Sequence, residues 1–253
     1  MKKKILAITL CVAMLAIMIV SGTLAYFTDT EAAKNVMTVG NVDIEQNEYQ
    51  REFDEAGKVT GFVAFNPTTP IQPMGDNPKY LENPINFKGD NIEVFQCENA
   101  RDKIVTVTNN GNVPAYVRTI VAIEAGKSAE KANYMWYKNI AVNQNTSDIE
   151  TAVTCVDNDM YVKIGDSYYI ILIYTYTEEL APGAESEASI TGVALYSRTT
   201  QEDIAELDGD LEVLVLSQAC QADGMGEDAG VALNKAFGEV TAENVATWFA
   251  DIA

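Results

Sequence analysis

The 253-residue chain contains no histidine. That absence removes Ser-His-Asp and Cys-His catalysis, H-E-x-x-H zinc sites and every imidazole general base. Positive charge is scarce too: 17 Lys and Arg stand against 37 Asp and Glu, a net of −20. Such a chain repels nucleic-acid phosphates and anionic lipid, and reads as a well-solvated exported protein. The four cysteines include no C-x-x-C pair, which is too few for a disulfide scaffold and the wrong spacing for zinc. Cys11 lies in the apolar N-terminal run. Cys97, Cys155 and Cys220 fit either one bridge with a leftover thiol or three buried free thiols. Proline is concentrated, with five of seven at Pro67, Pro70, Pro73, Pro78 and Pro84. Proline cannot donate to a ladder, so residues 66–84 are expected to form a surface loop or edge excursion.

What is present begins with a targeting pattern. Lys2, Lys3 and Lys4 precede an uncharged apolar run from Ile5 to Val20, and small residues follow from Ser21 to Ala25. This is a signal peptide over residues 1–25, with the cut expected between Ala25 and Tyr26. Ile5 to Ala25 is also long enough to span a bilayer as a retained anchor; the small Thr23 and Ala25 favour cleavage. The cleaved chain carries 14 basic and 37 acidic side chains, a net of −23.

Period-two apolar patterning dominates the remainder. Strands are expected at Val36–Ile44, Val59–Phe65, Ile92–Cys97, Lys103–Asn109, Ala115–Glu124, Tyr134–Ala141, Thr151–Val156, Met160–Ile164, Ser167–Thr177, Glu187–Leu195 and Leu211–Cys220. Asn109-Asn110-Gly111-Asn112 reads as a turn. In Ala115–Glu124, Ala115, Val117, Thr119, Val121 and Ile123 share one face, and Tyr116, Arg118 and Glu124 the other. Ser167–Thr177 is apolar or aromatic on both faces, which requires a central strand in a sheet covered on both sides. Helical signals cluster at the C-terminus. Asp228–Phe237 is a short candidate. In 241–252, Val245, Trp248, Phe249 and Ile252 form one stripe, Thr241 is the N-cap, and Val240 and Val245 stand at staple positions. The expected fold class is mainly β, an antiparallel sandwich with short helices. Residues 26–45 are an N-terminal strand segment and 46–253 a single domain.

Chemistry-bearing motifs are sparse. Gly224 to Ala229 fits G-x-G-x-x-A, but Glu227 and Asp228 stand where a pyrophosphate needs positive potential; a turn into a helix is the reading. Ser128 to Lys131 matches S-x-x-K without its companion motifs. Asp157-Asn158-Asp159, Asp208-Gly209-Asp210 and Gly89-Asp90-Asn91 lack EF-hand spacing and support at most incidental calcium. Tyr168 to Tyr176 could stack on carbohydrate, although strand aromatics more often pack. A hydrolase built on paired carboxylates would need two facing acids that sequence does not locate. No catalytic, metal or cofactor residue is assigned, and no enzyme is expected.

The stretch across the expected cut, Gly22 to Asp29 followed by Ala33 to Ile44, resembles the TasA/camelysin family of exported bacterial matrix proteins. Val105 to Arg118, Leu180 to Ala184 and Leu216 to Gly224 are similar to it as well. The resemblance implies a jelly-roll-like sandwich, processing by a SipW-type signal peptidase, secretion, and self-association into biofilm fibres with other matrix proteins. In that scheme the leading strand of one subunit completes a sheet of the next. The polymerisation segment is then Tyr26, Phe27, Val36, Met37, Val39, Val42 and Ile44, released by cleavage after Ala25. A free apolar strand seeks backbone partners on an open edge, and head-to-tail addition grows filaments. Two alternatives stand beside it: residues 36–45 pairing within their own chain behind a loose tail, and a monomeric surface module binding glycan or protein.

Overall fold

Residues 115–126 set the layout, because they carry apolar side chains on both faces, Val117, Val121 and Ile123 on one and Ile120 and Ala122 on the other. In this computed structural model the described residues are 28–32, 42–56, 58–66, 85–87, 90–92, 101–127, 135–139, 149–153, 161–196, 199–200, 202–203, 211–226, 228–250 and 252. The strands are β1 (Thr28–Ala32), β2 (Ile44–Phe53), β3 (Val59–Ala64), β4 (Ile85–Phe87), β5 (Asp90–Ile92), β6 (Arg101–Asp102) and β7 (Ile104–Asn109). They continue with β8 (Ala115–Gly126), β9 (Met135–Asn139), β10 (Ile149–Val153), β11 (Val162–Ile164), β12 (Ser167–Tyr176), β13 (Ile190–Leu195) and β14 (Val213–Gln221). Two helices follow, α1 (Ala229–Phe237) and α2 (Ala242–Phe249).

All strand pairings are antiparallel. The larger sheet runs β1-β14-β8-β12-β10, with β11 also on β12. Opposite it lie β3-β2-β7 and β6-β13-β9. Hydrogen bonds from Ser186 N to Val107 O, Ser189 N to Val105 O and Lys103 N to Thr191 O join these two into one layer. Between the layers sits a core of Val117, Val121, Ile123, Leu172 and Tyr174 from one sheet and Val42, Ile44, Val105, Val107 and Ile190 from the other. The far face of the larger sheet, with Ile120, Ile164, Tyr169, Ile171 and Leu216, is covered by Val245 and Phe249 of α2. Cys220 is covered by Ala229, Ala232 and Leu233 of α1. The larger sheet is thus buried on both sides, as the sequence of β12 requires.

The helix ends follow their capping residues. Asp228 Oδ1 accepts from Val231 N at 2.8 Å, and Thr241 Oγ1 accepts from Asn244 N at 3.2 Å. Gly238, at φ 90°, ends α1 and donates its N–H to Asn234 O. Val240, Trp248 and Ile252 pack against the same cluster as Val245, which realises the expected stripe and staple.

Two expectations change. The strand expected at Val36–Ile44 begins at Ile44 and continues to Phe53; residues 36–41 lie outside the described residues. A loose leading tail is replaced, at Thr28–Ala32, by a strand paired to β14. Both segments are polar, so an apolar period does not reveal them. Buried ion pairs compensate in β2. Arg51 grips Asp102 through Nε and Nη2 at 2.6 and 2.7 Å, and Lys103 Nζ reaches Glu48 Oε2 at 2.6 Å. Of the proline-rich stretch 66–84, only Asn66 is among the described residues.

The turn after β7 is fixed by one side chain. Buried Asn109 donates Nδ2 to Val113 O and Leu180 O at 2.9 and 2.8 Å and accepts from Gly111 N at 2.9 Å. Asn109→Ala leaves two carbonyls and an amide to find new partners. The expected loss is about 3 kcal/mol, seen as a lower urea midpoint at unchanged slope.

Candidate functional site

The edge of the larger sheet is where the N-terminal segment meets the rest of the fold. In register, Thr28 faces Cys220, Asp29 Ala219, Thr30 Gln218, Glu31 Ser217 and Ala32 Leu216. β1 ends the strand order, and β14 is its one ladder partner among the described residues. β1 runs in the same sense as β8, away from the Asn109 turn. β2 also starts at that turn, since Ile44 faces Asn109. β1 thus ends, at Ala32, away from that turn, whereas β2 begins beside it in the opposite layer.

Below this edge a polar row crosses the otherwise apolar interior. Thr119 Oγ1 and Ser217 Oγ lie 3.2 Å apart, and Ser217 Oγ donates to Gln46 Oε1 at 2.8 Å. Thr119 and Ser217 are fully buried. The row links β8 and β14 of one layer to β2 of the other. Sequence reading placed Thr119 on the inward face but missed Ser217 and Gln46. The signal available was a lone hydroxyl in the run Val213–Gln221.

On the opposite face of β8 and β14 lies Arg118, 2 % exposed. Its Nε donates to Gln218 Oε1 at 2.7 Å, Nη1 to Asn234 Oδ1 at 2.8 Å and Nη2 to Gly238 O at 3.0 Å. The guanidinium carbon lies 5.2 Å from the Trp248 ring centroid and 5.9 Å from that of Phe237. One buried cation thus fastens β14, α1 and α2 together. Burial pulls the guanidinium down to about 10, with the nearby Cys220 acting the other way. Burial pushes the Cys220 thiol up to about 12 against the pull of Arg118.

The structure places few of the expected site residues. Val42 and Ile44 are 1 % and 3 % exposed, within the chain's own core. Ala25, Tyr26, Phe27, Val36, Met37 and Val39 lie outside the described residues. Tyr169, Tyr174 and Tyr176 are buried and offer no stacking platform for a sugar. In Gly224 to Ala229, the Asp228 carboxylate takes the Val231 N–H at the start of α1, and Gly226 has Ala232 N only 3.1 Å from where a Cβ would stand. Asp90 and Asn91 of one acidic turn sit in β5; Asp157-Asn158-Asp159, Asp208-Gly209-Asp210, the S-x-x-K match, Cys97 and Cys155 lie outside the described residues. Cys220 is a free thiol.

No family model matches this chain, and neither a curated protein nor a solved structure matches it.

Proposed function

We propose that the chain is a secreted, non-enzymatic structural subunit of extracellular bacterial matrix fibres, a jelly-roll-like sandwich of the TasA/camelysin kind. It is released by a SipW-type peptidase and assembled by N-terminal strand addition. One observation carries the reading: a five-residue strand, first in the described order, closes one edge of the larger sheet and, among the described residues, has β14 as its one ladder partner. A strand so placed can exchange between copies with every ladder contact kept, which is the low-cost route of strand swapping. The connection 33–41 has nine residues and spans at most about 32 Å when extended. That reach serves the chain's own edge, about 14 Å along β1. The high negative charge holds copies apart, and acid weakens that repulsion.

The register supplies a direct test. Thr28 faces the native thiol Cys220, and antiparallel partners lie within disulfide range. Mature protein from residue 26 carrying Thr28→Cys, concentrated at mildly acid pH and then oxidised, is expected to give a ladder of disulfide-linked multimers. The same protein with extra residues ahead of Tyr26 is expected to bridge only within single molecules. Intramolecular bridges alone from the cut form, at acid and neutral pH, would falsify strand exchange.

A further inference from the structure

Of the chain's asparagines only Asn110 is followed by glycine. Without a Cβ, glycine leaves its peptide nitrogen unshielded, so an Asn-Gly pair is open to attack of the backbone on its own side chain. The pair stands at the corner after β7. Asn110 is exposed, whereas Asn109 is buried and has both ends of its amide engaged. The hydrogen bonds of the corner hold the reaction back. Gly111 N, the nucleophile, donates to Asn109 Oδ1 at 2.9 Å and to Asp43 O at 3.0 Å. Asn110 N donates to the same Asp43 carbonyl at 2.8 Å. Asn110 Nδ2 donates to Glu45 Oε2 at 3.1 Å, which ties the side-chain amide to β2. A nitrogen that must lose its proton to react is here bound through that proton to two acceptors.

We propose that Asn110–Gly111 is a self-modifying joint, locked while Asp43 stays seated and loosened once it has reacted. Solvent hydroxide takes the Gly111 N–H proton, and the nitrogen attacks Asn110 Cγ. The new N–C bond closes a succinimide ring, and the side-chain nitrogen leaves as ammonia. Water opens the ring at either carbonyl. The product is aspartate or, with the main chain rerouted through the side chain, isoaspartate. Overall one water is consumed and one ammonia released, with no change of oxidation state. Either product sets a carboxylate against Glu45 where a donor stood. Isoaspartate also lengthens the main chain by a methylene, so the amides of residues 110 and 111 no longer converge on Asp43 O. Asp43 lies between Val42 and Ile44, both buried in the core between the layers. The modification therefore acts on the entry of β2, where the N-terminal segment joins the sandwich. It stands apart from strand addition and needs no second copy.

The test follows the mature chain at mildly alkaline pH by peptide mass mapping, with isoaspartate scored by enzymatic methylation. Unfolded in urea, the chain is expected to convert Asn110 about twentyfold faster than when folded, at about a factor of five for each hydrogen bond to Gly111 N. Folded Asn109→Ala, which loses one of the two acceptors, should react about fivefold faster than the unaltered protein. Folded Ile171→Ala, a cavity variant on the far face of the larger sheet, should react at the unaltered rate. If Asn109→Ala does not fold, Ile44→Ala removes the apolar anchor beside Asp43 and carries the same expectation. Asn110→Gln, whose ring closes far more slowly, is expected to stay unmodified. The loosening is read by hydrogen exchange of residues 42–46. Exchange should rise about tenfold in purified isoaspartate protein and about threefold in Asn110→Asp, with Glu45→Gln restoring the latter. Equal rates in folded and unfolded chains, or Ile171→Ala accelerating as much as Asn109→Ala, overturn the lock. Unchanged exchange at 42–46 in the modified protein overturns the loosening. Every readout is taken on monomers, so a failure of strand exchange leaves these outcomes as they are.

Discussion

Arg118→Ala is expected to cost about 5 kcal/mol and to release both C-terminal helices from the sheet. Removing the guanidinium strands Gln218 Oε1, Asn234 Oδ1 and the Gly238 carbonyl, which it now satisfies at 2.7–3.0 Å. Buried acceptors left unpaired cost about 1–3 kcal/mol each. The Trp248 and Phe237 rings lose a cation 5.2 and 5.9 Å from their centroids, about 0.5–1 kcal/mol apiece. Relief comes from no longer holding a charge away from water, so the sum falls below the gross total. About 5 kcal/mol remains a third or more of the stability of an ordinary domain. The measurement is urea unfolding followed both by Trp248 fluorescence and by far-ultraviolet circular dichroism. Arg118→Lys is not expected to rescue, because one ammonium cannot span three acceptors on β14, α1 and the α1–α2 link. A loss under about 1 kcal/mol, judged against the same acceptor costs, would mean that the three acceptors find other donors.

Alkaline conditions should unfold the protein well before any acid effect of similar size appears. The Cys220 thiol is raised by burial from 9.0 to about 12. Tyr169 and Tyr176 are raised from 10.0, first by burial and, for Tyr169, next by the hydrogen bond to Glu212. Tyr49 and Tyr116 shift the same way. Above pH 9 the unfolded chain therefore sheds protons that the folded chain keeps, and stability falls as pH rises. Arg118 has the opposite sign, because its folded value of about 10 lies below 12.5; it relieves part of the loss above pH 10. Five groups oppose one. The thiol alone contributes about 4 kcal/mol of loss by pH 12, at about 1.4 kcal/mol per unit. Urea midpoints are expected to stay level from pH 7 to 9 and drop beyond. In Cys220→Ala the drop should begin about a unit later, where the tyrosines take over. Superimposable profiles for the two proteins would remove the thiol from the account.

What the sequence made legible was apolar period. β8 shows its two faces as read, with Val117, Val121 and Ile123 inward and Arg118 outward. β12 is apolar on both sides and lies between β8 and β10, for the reason that residues like Ile171 and Leu172 must each find a layer. α2 carries its cap and stripe in plain view. Illegible were the elements whose burial is polar. β2 turns Gln46 and Glu48 inward and satisfies them with Ser217 and Lys103, partners 171 and 55 residues away. β1 is held by backbone pairing, to which periodicity of side chains is blind. The same limit hid the polar row: Ser217 stands out only once its neighbours in space are known. The Arg118 network fails to announce itself for a related reason, since Gln218, Asn234 and Gly238 come together only when the helices fold back.

The antiparallel seating of β1 also orients the molecule. Thr28 sits level with Cys220, and the adjoining end of β14 meets Ala115, which bridges to Leu180. The start of β1 therefore lies at the end of the sandwich that carries the Asn109 corner. Gly165 and Asp166, at the β11–β12 bend, lie exposed at the opposite end of the larger sheet. In the strand-addition reading proposed above, a cut just ahead of β1 would leave the new N-terminus beside the edge where subunits would meet.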